Sequence, residues 1–522
     1  MRWIVLGAQN ENIQLVSKNP HDNEQPGLLP KGSFLTIENE KTNTKHILRV
    51  DQTIQTQPYK PSPLIVDMDL SGLYEDTKCQ NIISAFRSRD LSNREDGLVD
   101  YIYPQLVARR STQDEIDLAL GQTSALKGPR VFIATVHSGQ NYLLVDDENH
   151  YIITTLPISM FFHQMIICGS TGSGKTVAMK YLAQYFVEEF EGAVLAVNVK
   201  DTDFLKMDKP SVTSNCNIHK EWSVLNTSPK GIPNTTIYIP ATEMIPRGVN
   251  ENICTRVTLS VDDIDPESLI GLMRNISDIG AQYLPDIFRH WKEREKKDDE
   301  TFKDFVTYFQ RAEGDRYFEC LNKTGTRYDR TLFSSTFQNV LNNLISAMQM
   351  FDHNDADVLS EEDILEPGKL SVINVATSPT AVTFGSVLLR DLLRRIVIAK
   401  SQGDSSVPIL IIIDEVHQFY NSEDSKEALG YLDTICRTGR SQEIGVIFSS
   451  QNPSDIPKGL SSVVNSKIFF KSADTPPLKS SGITSDEMAN LKKGFAVVNI
   501  HDMPQIKVIK FPLSYSGVFE NE

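Results

Sequence analysis

The spacing of apolar positions changes along the chain. Up to about residue 150 they form short runs at 3–6, 34–37, 46–56, 99–103, 131–136 and 142–145. Turn-forming stretches separate these runs: Pro30-Lys31-Gly32, Pro58 to Pro63, Gly128-Pro129 and Ser138-Gly139. Short strands at this interval predict a small barrel or sandwich, and the spacing predicts one helix across 77–89. From about 151 the apolar runs lose their alternation, at 165–168, 193–199, 370–375, 409–413 and 444–448. The run at 409–413, by its length and lack of alternation, predicts a central parallel strand covered on both faces.

Between about 250 and 360 the period becomes helical. The apolar sets are Leu269, Leu272, Met273, Ile276 and Ile279, then Phe302, Phe305, Val306 and Phe309, then Phe337, Val340, Leu341, Leu344, Ile345 and Met348. Because core-like strands resume afterwards, this stretch reads as a helical insertion within an α/β domain. The charged run at 292–300 reads as a solvated helix end or loop. A further helix over 381–400 puts Val382, Leu388, Leu389, Leu392 and Ile396 on one face, leaving Arg390, Arg394 and Arg395 as a solvated basic face.

One of these strands carries chemistry at its end. Gly169-Ser170-Thr171-Gly172-Ser173-Gly174-Lys175-Thr176 follows the run at 165–168 and opens a segment with Ala178, Leu182, Ala183, Phe186 and Val187 at helical spacing. It matches the phosphate-binding loop G-x-x-x-x-G-K-[ST] at every fixed position, between a strand and a helix as that motif requires. The glycines allow a nest of N–H donors around phosphate oxygens, and the helix N-terminus adds its partial charge. Lys175 is placed for the β- and γ-phosphates of ATP, and the Thr176 hydroxyl for Mg²⁺.

Hydrolysis also needs a carboxylate for the metal shell, a group to orient water and a cation for developing charge. Asp414 and Glu415, which end the run at 409–413, suit the first two roles. Gln451, after the run at 444–448, is a candidate γ-phosphate sensor or a turn cap. Arg437 and Arg440 precede that strand, and either would complete a site in its own subunit or a neighbour's, or lie on the surface. Asp201 or Asp203 would face the nucleotide or sit in a plain loop.

Composition narrows the setting. The 522 residues imply two or three domains, and no apolar stretch approaches the length of a membrane span. The N-terminus turns polar at Gln9-Asn10-Glu11, before a signal-peptide core forms, so a cytoplasmic location with no membrane partner is expected. Six scattered cysteines and ten histidines without close spacing suggest neither a disulfide framework nor a zinc site. Cys168 reads as a small buried residue. The net charge of −16 opposes general nucleic-acid coating, so any DNA contact must be local. Lys206, Lys209 and Lys458 are pore candidates no better supported than surface lysines.

The phosphate loop, the run 409–415 and above all the block from Thr438 through Arg440 to Gln451-Asn452-Pro453-Ser454-Asp455 resemble the HerA branch of the HerA/FtsK DNA-translocase superfamily. The resemblance implies an α/β fold with a RecA-like P-loop NTPase core, an N-terminal small β-barrel and a helical insertion. On that basis the chain divides into a barrel (1–150), a first core part (151–250), the insertion (251–365), a second core part (366–490) and a C-terminal β segment (491–522). The last would use 494–500 and 506–511. The resemblance further implies a hexameric ring that threads double-stranded DNA, with ATP and Mg²⁺ at Lys175, Thr176, Asp414, Glu415 and Gln451. Arg440 matches the family's arginine. Relatives often carry another arginine just before the phosphate-loop strand, where this chain reads Phe161-Phe162-His163-Gln164. A separately encoded nuclease or other effector is expected as partner, in DNA end processing or anti-phage defence. The rival expectations are a nucleotide-dependent ring scaffold controlling an effector and a conjugation- or secretion-type ATPase.

Overall fold

The computed structural model describes residues 3–9, 12–17, 29–56, 80–90, 101–122, 127–200, 203–273, 275–376, 378–416, 435, 439–456, 464–472 and 483–520. The first six strands close a barrel: β1 (Trp3–Gln9), β2 (Asn12–Ser17), β3 (Phe34–Asn39), β4 (Thr44–Thr56), β5 (Gln80–Asp90) and β6 (Val107–Arg110), in the order β1-β2-β5-β4-β3-β6. Trp3, Leu15, Ile37, Leu48, Ile83 and Ala108 fill its interior.

Two expectations fail here. The helix expected across 77–89 is β5 over its described part, because Ile83 and Ala85 point inward at strand spacing and pair with both β2 and β4. A helix there would leave two strand edges open, which closure removes. Residues 101–103 form no strand; β6 occupies the place expected for that run.

Helix α1 (Gln113–Ala119), which starts at a capping box on Thr112, packs Ile116 and Ala119 against Phe34 and Ile47 of the barrel and Val131 and Ile133 beyond it. Its Glu115 is buried and takes hydrogen bonds from Arg109 (2.6 Å) and from the Thr36 hydroxyl (2.7 Å), with the Lys45 ammonium also paired to it. Burial alone would raise this carboxyl, but Arg109, Lys45 and Thr36 outweigh it and hold it at about 2.

The next strands belong to a different sheet. β7 (Arg130–His137), β8 (Gln140–Leu143) and β9 (Ile153–Thr155) pair with each other and with the C-terminal segment, not with the barrel. After α2 (Ser159–Phe162) come β10 (Met165–Cys168), α3 (Lys175–Glu188) and β11 (Ala193–Asn198). Then follow α4 (Cys216–Val224), β12 (Thr235–Pro240) and β13 (Cys254–Thr258). The insertion contains α5 (Asp278–His290), α6 (Phe302–Arg311), the hairpin β14 (Tyr317–Leu321) and β15 (Arg327–Thr331), α7 (Ser334–Ala347) and β16 (Asp357–Val358). β17 (Leu370–Asn374), α8 (Pro379–Gln402), β18 (Ile409–Ile413), β19 (Ile444–Ser450), β20 (Ser466–Phe469), α9 (Ser485–Ala489), β21 (Phe495–Asn499) and β22 (Val508–Lys510) complete the described elements.

The large sheet runs β16-β13-β12-β17-β11-β18-β19-β10-β20-β21-β22-β7-β8. It is parallel from β16 to β20 and antiparallel beyond. β18 shows why its apolar run does not alternate. Ile409, Ile411 and Ile413 enter the core beneath α5–α8, whereas Leu410 and Ile412 enter the opposite core beneath α3. Both faces are thus covered, as the run predicts.

The insertion differs from its expected form. The apolar set at 269–279 is a 3₁₀ segment (Pro266–Leu272), and α5 starts only at Asp278, capped by the Ser277 hydroxyl accepting from the Gly280 amide at 3.1 Å. Asn275, at φ 53°, breaks the helical path between them. The arginines of α8 are not a solvated face. Arg390 is buried, while Arg394 and Arg395 pair with Asp391 at 2.9 and 3.0 Å. Among the described residues, no helix is long and apolar enough to cross a membrane.

Glu115→Gln should destabilise the barrel at pH 7 by a few kcal/mol, on the order of 3 for a carboxyl lowered this far. Because the folded pKa lies below the unfolded one, this contribution is present above about 4.5 and fades as pH falls towards about 2. Urea unfolding of both forms across that window checks it. A gap that does not narrow on acidification would mean the charge of Glu115 is not what holds α1.

Candidate functional site

The loop from Gly169 to Gly174 joins the end of β10 to the start of α3. Its ends are pinned by neighbouring strands: the Gly169 amide donates to the Ser450 carbonyl (3.3 Å), the Ser170 amide to the Lys471 carbonyl (2.7 Å), and the Gly494 amide to the Ser173 carbonyl (3.0 Å). Side chains have no room at two glycines. A Cβ on Gly169 would lie 2.7 Å from Phe470 Cβ, and one on Gly174, whose φ is 109°, would lie 3.0 Å from the Gly494 nitrogen. Among the described residues the buried Ser173 hydroxyl has no hydrogen-bond partner. A polyanion met by the loop's N–H groups fits this cradle.

Lys175 is buried at the first turn of α3, its ammonium donating to the carbonyls of Gly169 (2.5 Å) and Ser170 (3.3 Å). Burial lowers its pKa, and the charges of Glu415 and Asp414 pull it back up. Those carboxylates therefore stand within electrostatic reach of the loop, although six strands separate β18 from β11 in sequence and seven separate it from β10. The topology explains the meeting: β19 lies between β18 and β10, and all three are parallel, so their C-terminal ends share one crevice.

Asp414 is buried, and desolvation followed by the neighbouring charge of Glu415 pushes its carboxyl up. A divalent cation beside it would reverse that. The Asp414 carboxylate and the half-buried Thr176 hydroxyl are oxygen donors of the kind Mg²⁺ takes. Glu415 adopts φ 46°, a left-handed backbone that costs a residue with a side chain of order 1 kcal/mol or more. The twist aims its carboxylate at two partners: the Lys200 ammonium, in an ion pair, and the Gln451 amide, donating at 3.3 Å.

Lys200 is the residue that sequence reasoning passed over in favour of its acidic neighbours. Asp201 lies outside the described residues, and Asp203 acts on Asp414 through its charge. The available signal was position: Lys200 follows the end of β11, the strand adjoining β18. Asp455 is structural. Its carboxylate accepts from the Ser450 hydroxyl (2.9 Å) and the Asn452 amide (3.2 Å), fixing the turn that carries Gln451.

Arg440 is not brought to this crevice. It is exposed on a 3₁₀ turn (Gly439–Gln442) at the N-terminal end of β19, so the length of that strand, roughly 20 Å, separates it from Gln451's end. Completion of its own subunit's site by Arg440 is excluded by that geometry. Arg437 lies outside the described residues.

Beside Gly174 and Val177 a cavity of about 430 Å³ opens against the C-terminal segment, walled by Tyr151, Phe495 and Phe511 with Lys492 and Lys493 at its rim.

A family profile described as "Helicase HerA, central domain" matches residues 144–392, and one described as "Helicase HerA-like C-terminal" matches 370–471. The chain belongs to the HerA-like ATPases of the HerA/FtsK superfamily. Within that family it is similar to the "Probable DNA double-strand break repair helicase HerA" of Methanocaldococcus jannaschii, at 25% identity over 39% of this chain and 48% of the relative. The "DNA double-strand break repair helicase HerA" of Sulfurisphaera tokodaii is 26% identical over 32% of this chain and 37% of its own length. The chain thus spans half or less of the length of these curated relatives. Among solved structures, the bacterial conjugative coupling protein TrwB is 15% identical, covering 70% of this chain and 89% of that one with a TM-score of 0.43.

Gly174→Ala should weaken binding of a fluorescent ATP analogue at least about tenfold, since the new methyl meets backbone in a left-handed conformation. Unchanged affinity would show that the loop accepts a side chain there and that the close approach of Gly494 is unimportant.

Proposed function

We propose that this chain hydrolyses ATP and, as a subunit of a ring, uses the hydrolysis to move double-stranded DNA. The observation that carries the reading is the convergence of Lys175, Asp414, Glu415 and Gln451 on one crevice, with Arg440 held at the far end of the same strands. Placement of Arg440 away from its own crevice supports a role on the nucleotide of a second subunit, as in a ring whose nucleotides lie between neighbours.

In this reading the phosphates lie along Gly169 to Lys175, and the base and ribose enter the cavity beside Gly174. Thr176 and Asp414 are the residues that would hold Mg²⁺, which would supply positive charge to offset that of the phosphates. Glu415 orients a water and accepts its proton as the water oxygen bonds to the γ-phosphorus and the bond to the β–γ bridging oxygen breaks. Gln451 links Glu415 to the γ-phosphate position. Arg440 offers its cation to the nucleotide of the adjoining subunit. A hexamer, and a separately encoded nuclease or other effector in end processing or defence, complete the proposal. The net charge of −16 supports a second reading, a ring whose hydrolysis answers to a protein effector and not to DNA.

Steady-state hydrolysis with and without double-stranded DNA, over a salt series, separates the two. The motor reading expects stimulation by DNA that fades as salt rises, and a fall of at least about 100-fold in kcat for Glu415→Gln with ATP binding retained. Indifference to DNA would overturn the motor in favour of the effector-controlled ring, and wild-type turnover in Glu415→Gln would remove that residue from catalysis.

Mixing subunits tests the placement of Arg440. Lys175→Ala and Arg440→Ala proteins should each be inactive alone. Co-assembled, they should regain part of the wild-type rate, because some interfaces then join an intact loop to an intact arginine. No recovery from demonstrably mixed rings would overturn action across the interface.

A further inference from the structure

The N-terminal ends of the central strands carry a second cluster of chemistry-bearing side chains. His163 follows α2 and precedes β10. His501 and Asp502 are the central residues of the tight turn between β21 and β22, closed by the bridge of Ile500 to Met503. Chain separation hides their relation, but the antiparallel C-terminal segment folds back along β20 and brings the turn onto His163. The two imidazoles have centroids 3.6 Å apart with their planes tilted by 33°, and His501 Nε2 is 3.3 Å from an Asp502 oxygen. One donor atom from each of the three residues falls within 4.8 Å of the other two.

A second, independent observation concerns His163. The residue is 7% exposed, and among the described residues its Nε2 has no hydrogen-bond partner. A buried polar atom in this condition costs about 1–3 kcal/mol unless something else satisfies it. Its other nitrogen, Nδ1, is 3.5 Å from the Asn465 amide nitrogen. Asp502 is oriented from behind, its second oxygen accepting from the Ser159 hydroxyl at 3.0 Å. The His501 amide donates to the Ser466 hydroxyl at 3.2 Å, fixing the turn. A ligand carboxylate and a ligand turn each held by an outer hydrogen bond are what a built metal site has.

We propose that His163, His501 and Asp502 bind one divalent transition ion of borderline softness, Zn²⁺ being the probe, and that the ion fastens the C-terminal β segment to the residue preceding the phosphate-loop strand. Two imidazole nitrogens and one carboxylate oxygen suit such an ion and leave a fourth position for water. In a tetrahedral site the donors stand roughly 3.3 Å apart, so the side chains need to close by about an ångström or two. Arg440 opposes a cation electrostatically, and the Asp502 carboxylate offsets it. The site lies on the strand end that presents Arg440, so the ion would stiffen the surface from which that arginine acts. It owes nothing to the assignment of the nucleotide crevice.

The test is calorimetric titration of the chelator-stripped full chain with Zn²⁺, repeated with Co²⁺ while its visible absorption is recorded. One saturable site per chain, with tetrahedral-type Co²⁺ bands, is expected. His501→Ala and Asp502→Asn, both at partly or fully exposed positions that should fold, are each expected to weaken Zn²⁺ by about tenfold or more and to abolish the Zn²⁺-induced rise in Tm. Absence of a saturable site overturns the proposal, as does undiminished affinity in both variants. Neither result depends on ATP turnover.

Discussion

Two adjacent carboxylates buried at the end of a doubly covered strand are the constraint to which the surrounding strands answer. Asp414 and Glu415 leave water because β18 is closed in on both faces, and buried anions are tolerated only where opposite charge meets them. β10 and β11, which lie on either side of the β18–β19 pair, each lead to a lysine. Lys200 pairs with Glu415 directly, and Lys175 answers both carboxylates across the crevice. The left-handed backbone of Glu415 belongs to the same arrangement, because it turns the carboxylate towards Lys200 and Gln451 and away from the core beneath.

The same parallel geometry gives the sheet two ends with different chemistry. At the C-terminal ends stand the loop, the lysines and the carboxylates. At the N-terminal ends stand Arg440, His163 and the turn bearing His501 and Asp502. The C-terminal segment is tied to both. Gly494 braces the phosphate loop through Ser173, and a few residues later the chain reaches His163 at the opposite edge. A short antiparallel extension of the sheet thus connects the phosphate-loop crevice with the strand ends that present Arg440.

Much of this was legible in the pattern of residues. Continuous apolar runs identify the central strands, since a strand covered on both faces has no polar side to alternate with, and fixed glycine, lysine and hydroxyl spacing identifies the loop. Misreadings cluster where local pattern serves two structures equally. Ile82, Ile83 and Phe86 suit a helix as well as a strand, and closure of the barrel decides between them. The arginines of α8 resemble a wet face until Asp391 and Glu361 are seen beside them. The hairpin of β14 and β15 alternates too weakly, with Arg327, Asp329 and Arg330 on it, to declare itself.

Residue order alone was enough for the class of fold, the phosphate loop and the acidic strand end, because each rests on contacts or dihedral demands within a few residues. Partnerships across the sheet were another matter. Lys200 meets Glu415, Arg440 is carried away from its own crevice, and His163 meets His501 because of strand order and strand direction. Those are properties of the folded sheet, and no spacing along the chain encodes them.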